Sequence, residues 1–292
     1  MQVTKSTLAA CMVKGATMVA VLFLALGAFA AVNVTYSESV IYPFLTGQSN
    51  PDGVSPSCNG LIMDKVGNLY GTTVSDGGTD ALNPDGTVFK LTPAEGGGWT
   101  ETILYVFDRL STGYTGYNPC GTLAFDSKGN LYGTTIRGGD PSVCVSGGDL
   151  GCATVNEPSP TETGYWTPTL IYSFTGGSTD GFWPWAGVTL ANTGGTLLYG
   201  TTSLGGTYAT TGGEYSNACG AAFALTYSAK TGWRETNLWQ FADATTGSQD
   251  VCEVGLNQLI VDTKGNCFGM GMYGAQGGPA TYGGVYEISP QD

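Results

Sequence analysis

An all-β fold, a β-propeller of about four four-stranded blades, is predicted by three features of the sequence. A hairpin motif is written four times, three further strand-like runs keep phase with it, and the composition suits tight turns rather than helices. The motif reads "DKVGNLYGTT" from Asp64, "DSKGNLYGTT" from Asp126, "NTGGTLLYGTT" from Asn192 and "DTKGNCFGMGM" from Asp262, which places Tyr70, Tyr132, Tyr199 and Phe268 in register. Gly makes up 47 of 292 residues, and charged residues are 11% where an average soluble domain has roughly 25%.

In chain order, residues 1–30 come first. Lys5 and Lys14 precede the apolar run "ATMVAVLFLALGAFA", which closes on Ala28-Phe29-Ala30. A basic start, a short apolar core and a small-x-small ending predict a cleaved secretory signal peptide. A short linker, 31–39, follows. The propeller is expected over 40–290, in repeats of about 40–100, 101–167, 168–234 and 235–290.

Each repeat supplies one run of each kind. The aromatic runs are "VIYPF" at 40–44, "ETILYVF" at 101–107, "PTLIYSF" at 168–174 and "ETNLWQF" at 235–241. The apolar lead-ins are "GLIMD" at 60–64, "GTLAFD" at 121–126, "AGVTLAN" at 186–192 and "LNQLIVD" at 256–262. Last come "GTVFKL" at 86–91, a degenerate "GCATVNE" at 151–157, "GAAFAL" at 220–225 and "GVYEI" at 284–288. With the lead-in as innermost strand a, the hairpin motif as b, the Gly-led run as c and the aromatic run as d, the chain starts on a d strand and ends on a c strand. The N-terminal strand is therefore expected to close the last blade, because an unpaired edge invites aggregation.

In the hairpin itself, Asp64, Asp126 and Asp262 are expected to cap the turn amides, and Gly67, Gly129 and Gly265 to supply its positive φ. Clustered Asp on Gly-rich loops also offers oxygen ligands to calcium, but "DSKGN" lacks the spacing of a calcium loop, so the turn reading is preferred and no metal site is assigned.

The hairpin and its partner runs, "GNLYGTT…GG…GTVFKLTP…WTETILYVF", closely resemble the GloVer tandem repeat of bacterial exported proteins, over about residues 40–290. That resemblance implies export and a repeat scaffold without an established activity. The group's C-terminal anchoring signal is not found in "EISPQD", so a soluble secreted or periplasmic product, free of the membrane after signal cleavage, is expected.

Charge and composition narrow the function. Net charge is −13 with a pI near 4.1, a balance that repels the phosphates of nucleic acid. The absence of His excludes Ser-His-Asp and Cys-His catalysis, and no cofactor is expected. Seven cysteines lie beyond the signal. Cys58, Cys120, Cys144, Cys152, Cys219 and Cys252 fall at long connections and read as disulfide candidates, with a bridge within Cys120, Cys144 and Cys152 and another from Cys219 to Cys252. Cys267 stands where other copies have Leu and is expected to be a buried free thiol.

Function should lie on the face carrying the long d-to-a and b-to-c connections, since binding residues concentrate on loops over rigid scaffolds. Its most distinctive stretch is "DGFWPWAG". Asp180, Trp183 and Trp185, joined by Tyr208 and Tyr215, are the candidate ligand-binding residues, because an aromatic ring beside an acid can hold a sugar ring or a peptide side chain. A non-enzymatic scaffold for an extracellular glycan or peptide is the first expectation. A polysaccharide-active enzyme using two loop carboxylates is the second.

Overall fold

The structure is a computed structural model that describes residues 36–44, 52–56, 60–75, 85–108, 115–144, 151–162, 164, 166–206, 218–242, 251–273 and 283–291. The signal peptide 1–30, Cys58, Tyr208 and Tyr215 lie outside the described residues. The chain divides into two units, Met1–Ser39 and Val40–Asp292, and the second holds every described strand.

Four successive antiparallel sheets make up the second unit. The first blade is β1 (Ile62–Met63), β2 (Leu69–Thr73), β3 (Thr87–Pro93) and β4 (Trp99–Val106), paired in that order. The second is β5 (Tyr117–Phe125), β6 (Leu131–Arg137), β7 (Thr154–Pro160) and β8 (Trp166–Ser173). In the third, β10 (Val188–Leu190), β11 (Leu197–Thr202), β13 (Ala218–Ser228) and β14 (Gly232–Ala242) pair in order, beside a small ladder of β9 (Gly181–Phe182) with β12 (Leu204–Gly205). The fourth has three strands, β15 (Ile260–Val261), β16 (Cys267–Gly271) and β17 (Gly284–Ile288). No α-helix occurs among the described residues. The fold is the all-β propeller arrangement, with strands a to d in the order the repeats dictate.

Strand d carries a detail that the repeat pattern conceals. The c–d ladder steps from Val88↔Tyr105 to Phe89↔Ile103, from Val155↔Tyr172 to Asn156↔Leu170, and from Ala222↔Trp239 to Phe223↔Asn237. Leu104, Ile171 and Leu238 are thus the extra residues of three equivalent β-bulges, which bend and twist the outer strand. Leu104 and Ile171 are buried there.

Hydrophobic core forms between blades. Alternation along strands b and c gives each sheet one face toward the preceding blade and one toward the next. Tyr70 and Val88 of the first blade pack on Leu123 and Leu131 of the second, and the Tyr70 and Phe125 rings meet edge to face at 4.8 Å. Tyr132 and Val155 pack on Val188, Leu198 and Phe223. Ala222 and Phe241 pack with Val251, Val254 and Tyr286. A d-strand Phe lies against a c-strand ring of the following blade at Phe174–Phe223 (5.2 Å) and Phe241–Tyr286 (4.8 Å). Each fully buried aromatic contributes about 2–3 kcal/mol of burial free energy.

The N-terminal run departs from its expected pairing. Residues 40–44 belong to no ladder, and among the described residues β17 pairs only with β16. Phe44 nonetheless lies against Phe89 of the first blade at 5.0 Å, as a preceding blade's d-strand Phe would. Side-chain packing thus holds the run on its first-blade neighbour, while no ladder joins it to the fourth blade among the described residues.

Candidate functional site

On the short-turn face the repeated hairpin is a closed hydrogen-bond unit. In Asp126, Oδ1 accepts from the backbone of Lys128 and Asn130, both at 2.9 Å, and Oδ2 accepts from the Asn130 amide at 2.9 Å and the Tyr132 hydroxyl at 3.3 Å. Asp64 repeats the set with Val66, Asn68 and Tyr70. Asp262 repeats it with Lys264 and Asn266, and Phe268 has no hydroxyl to give. Gly67, Gly129 and Gly265 all have positive φ, between 86° and 92°. The carboxylates are consumed within the turn, and no group of metal-binding residues occurs among the described residues.

The opposite face has a repeated rim of its own. Aligned on the hairpin, the d-to-a connections read Asp52-Gly53-Val54-Ser55-Pro56, Thr115-Gly116-Tyr117-Asn118-Pro119, Asp180-Gly181-Phe182-Trp183-Pro184 and Asp250-Val251-Cys252-Glu253-Val254. In each, the fourth residue is left-handed: Ser55 at φ 60°, Asn118 at 53°, Trp183 at 62° and Glu253 at 52°. Four of the five positive-φ non-Gly residues in the described structure occupy this one position, each at a cost of about 1 kcal/mol or more. The preceding residue bridges to the start of the b-to-c connection each time: Val54↔Ser75, Tyr117↔Arg137, Phe182↔Leu204 and Cys252↔Tyr273. Threonines of "GTT" fix the rim across blades, since Thr134 donates to the Pro184 carbonyl at 2.7 Å and Thr201 to that of Val254 at 3.1 Å. This five-residue pattern, alignable once the hairpins are set in phase, is the signal that a strand-based reading of the sequence passes over.

Asp180 is built into this rim and is only 5% exposed. Its Oδ2 accepts from the Thr175 amide (2.7 Å), the Tyr172 hydroxyl (3.0 Å) and the Thr175 hydroxyl (3.1 Å), and its Oδ1 from the Gly181 amide (2.7 Å). Burial pushes the carboxyl up despite these donors. Asp180, one of the candidate ligand-binding residues, faces inward, where buried d-strand and loop donors need an acceptor. Burial, then the nearby Asp180 charge, raises Glu235 on β14 to about 7.

The same constellation recurs at the first blade. The Tyr42 hydroxyl donates to Glu101 at 2.9 Å and to Asp52 at 3.1 Å. Burial, reinforced by Asp52 against the Tyr42 hydrogen bond, raises Glu101 to about 7. A Tyr, a rim Asp and the following d-strand Glu thus come together twice, with a Tyr–Glu hydrogen bond in the first set and an electrostatic interaction of Glu235 with Asp180 in the second.

Trp183 and Trp185 remain half-buried at the rim, their rings edge to face at 6.1 Å, with Trp183 also meeting Phe182 at 5.7 Å and packing on the core between blades two and three. The rings therefore both fill the scaffold and reach its surface. Disulfides brace the same face: Cys144 bridges Cys152, and Cys219 bridges Cys252 across the third and fourth blades. Cys120 is also disulfide-bonded. Cys267 is a buried free thiol on β16.

No family model matches the chain, and no curated protein sequence matches it. Among solved structures the chain is similar to a gluconolactonase from Xanthomonas campestris, at 14% identity and a TM-score of 0.38, covering 80% of this chain and 62% of that one. It is also similar to an α-L-arabinanase from Cellvibrio cellulosa complexed with arabinohexaose, at 12% identity and a TM-score of 0.37, covering 78% and 71%. The chain thus spans less than two thirds of the gluconolactonase, and at these scores neither likeness extends to an activity or a ligand.

Proposed function

We propose that the chain is an exported scaffold of the GloVer repeat kind that binds an extracellular glycan or peptide on the long-loop rim. The observation carrying this reading is the rim itself. Four equivalent backbone positions share one strained conformation and present four different side chains, Ser55, Asn118, Trp183 and Glu253. Shared backbone with divergent side chains is how a rigid frame displays a recognition surface. Trp183 and Trp185 supply the aromatic platform, and the net charge of −13 favours neutral glycans or basic peptides over anions. Two disulfides fit an oxidising compartment, and no described helix is long and apolar enough to cross a membrane.

Isothermal titration against a glycan and peptide panel tests it. The wild type should bind at least one member, and the double change Trp183→Ala, Trp185→Ala should weaken that binding by about tenfold or more with the far-UV spectrum retained. Absence of binding across the panel, or equal binding by the variant, overturns the reading.

The second reading, a polysaccharide-active enzyme, draws on Glu101 and Glu235, whose elevated carboxyls sit beside a second acid as general acids do. Both are tied into inter-blade sets, which favours the scaffold reading. Polysaccharide hydrolysis that falls with Glu101→Gln or Glu235→Gln would reverse that preference.

A further inference from the structure

The repeat makes the chain's two ends comparable with its interior. At the c-strand position facing the next blade, Val88 is 1% exposed, Val155 0% and Ala222 0%, because each is covered by the following blade. The fourth-blade equivalent, Val285, is 79% exposed. Its ladder partner Met270 is 49% exposed, and Ile260 on the same face of the sheet is 71% exposed. The face toward the preceding blade shows the converse at the chain's start. Three residues before the turn Asp, Leu123 and Leu259 are 4% and 3% exposed, whereas Leu61 is 51% exposed and its neighbour Met63 is 64% exposed.

Among the described residues of one chain these two faces do not cover each other. Packing between blades, among the described residues, runs from first to second, second to third and third to fourth, with nothing comparable between β15–β17 and β1–β4. The strand inventory is unbalanced in the same sense. Residues 40–44 sit against the first blade as a d strand would, through Phe44 on Phe89, while among the described residues the fourth blade holds a, b and c, with one edge of β17 unpaired. One end of the chain has a d strand without its sheet, and the other a sheet without its d strand.

We infer that the fourth-blade face of one copy docks on the first-blade face of a second copy, with the second copy's residues 40–44 completing the ladder on β17. The occupant is a second copy because, among the described residues, the uncovered blade faces are these two, and they are complementary rather than self-complementary. A contact of one fourth-blade face on another would leave both first-blade faces, with Leu61 and Met63, in water. Such a head-to-tail contact gives a closed pair of eight blades if its rotation closes after two copies, and an open series if it does not. Burying the exposed Val, Met, Ile and Leu side chains contributes favourably in either case.

Analytical ultracentrifugation of the purified, oxidised protein over a concentration series tests the contact, with Val285→Asp and Met63→Asp as probes of its two sides. The wild type should sediment as a dimer or a series of larger species. Each variant should dissociate, its dissociation constant rising about 100-fold or more, with an unchanged far-UV spectrum and cooperative unfolding. Mixing the two variants should restore association, because the pair still holds one intact Val285 face and one intact Met63 face. A monomeric wild type, a variant that stays associated, or a mixture that stays monomeric would overturn the inference.

Discussion

The two faces of the propeller use the same acid in opposite ways. On the short-turn face, Asp64 and Asp262 are partly exposed and Asp126 is buried, and all three bind donors within their own seven-residue turns. On the rim, Asp180 gathers donors from a neighbouring strand and loop inside the protein. The difference shows where the repeat tolerates change. Both acids change once in four copies, to Asn192 in the turn, where its side-chain oxygen still accepts from the Thr196 amide, and to Thr115 in the rim, whose side chain cannot gather donors as a carboxylate does.

Three measurements sharpen or break this comparison. The largest effect is expected for Asp180→Ala, which strands buried donors from Tyr172, Thr175 and Gly181 and should cost about 4 kcal/mol in denaturant unfolding. Asp126→Ala frees donors from the exposed Lys128 and partly exposed Asn130 besides that of the buried Tyr132, and should cost about 2 kcal/mol. If Asp126→Ala proves the more damaging, the division between self-contained turn and connecting rim fails.

The smallest effect concerns pH, and here the faces carry opposite signs. Glu235 is raised from 4.5 to about 7, so the folded state keeps a proton that the unfolded chain releases. Its stabilising contribution is full below about pH 4.5 and is lost as pH rises through 7. For Asp64 and Asp262, burial raises the carboxyl, but hydrogen bonds from Asn68 and Val66 and from Asn266 and Lys264 outweigh it and leave both below the usual value. Their contribution is present above about pH 4 and is lost on further acidification. Glu235→Gln should therefore gain stability relative to wild type between pH 4.5 and 7.5, measured by urea unfolding across that range. An unchanged difference between the two proteins would remove Glu235 from the account.

Much of the scaffold was legible in the sequence because its determinants are local. The Asp, Gly, Asn and Tyr of the hairpin meet within seven residues, and alternation within strands b and c sorts core from surface without any long-range knowledge. Cys267 at a Leu position was likewise readable from phase alone. The rest depends on neighbours far apart in sequence. Asp180 reads as a loop acid next to tryptophans, and its burial follows from Tyr172 and Thr175 arriving from the preceding strand. Glu101 and Tyr42 are 59 residues apart, so their pairing is invisible until the d strands stack. The bulges at Leu104, Ile171 and Leu238 escape strict alternation for a related reason, since an inserted residue shifts register without altering hydrophobicity.

Cys267 has a practical consequence. Among the described residues it is the one free thiol, and it lies in strand b of the three-stranded blade, behind the turn Asp262 and near Tyr199 and Tyr286. A thiol reagent in solution gains access only when that blade separates from its neighbour, so the labelling rate is a clock for one local opening event rather than for unfolding of the whole chain. Among the described residues the blade thus carries its own single-site probe, at the least enclosed end of the repeat array.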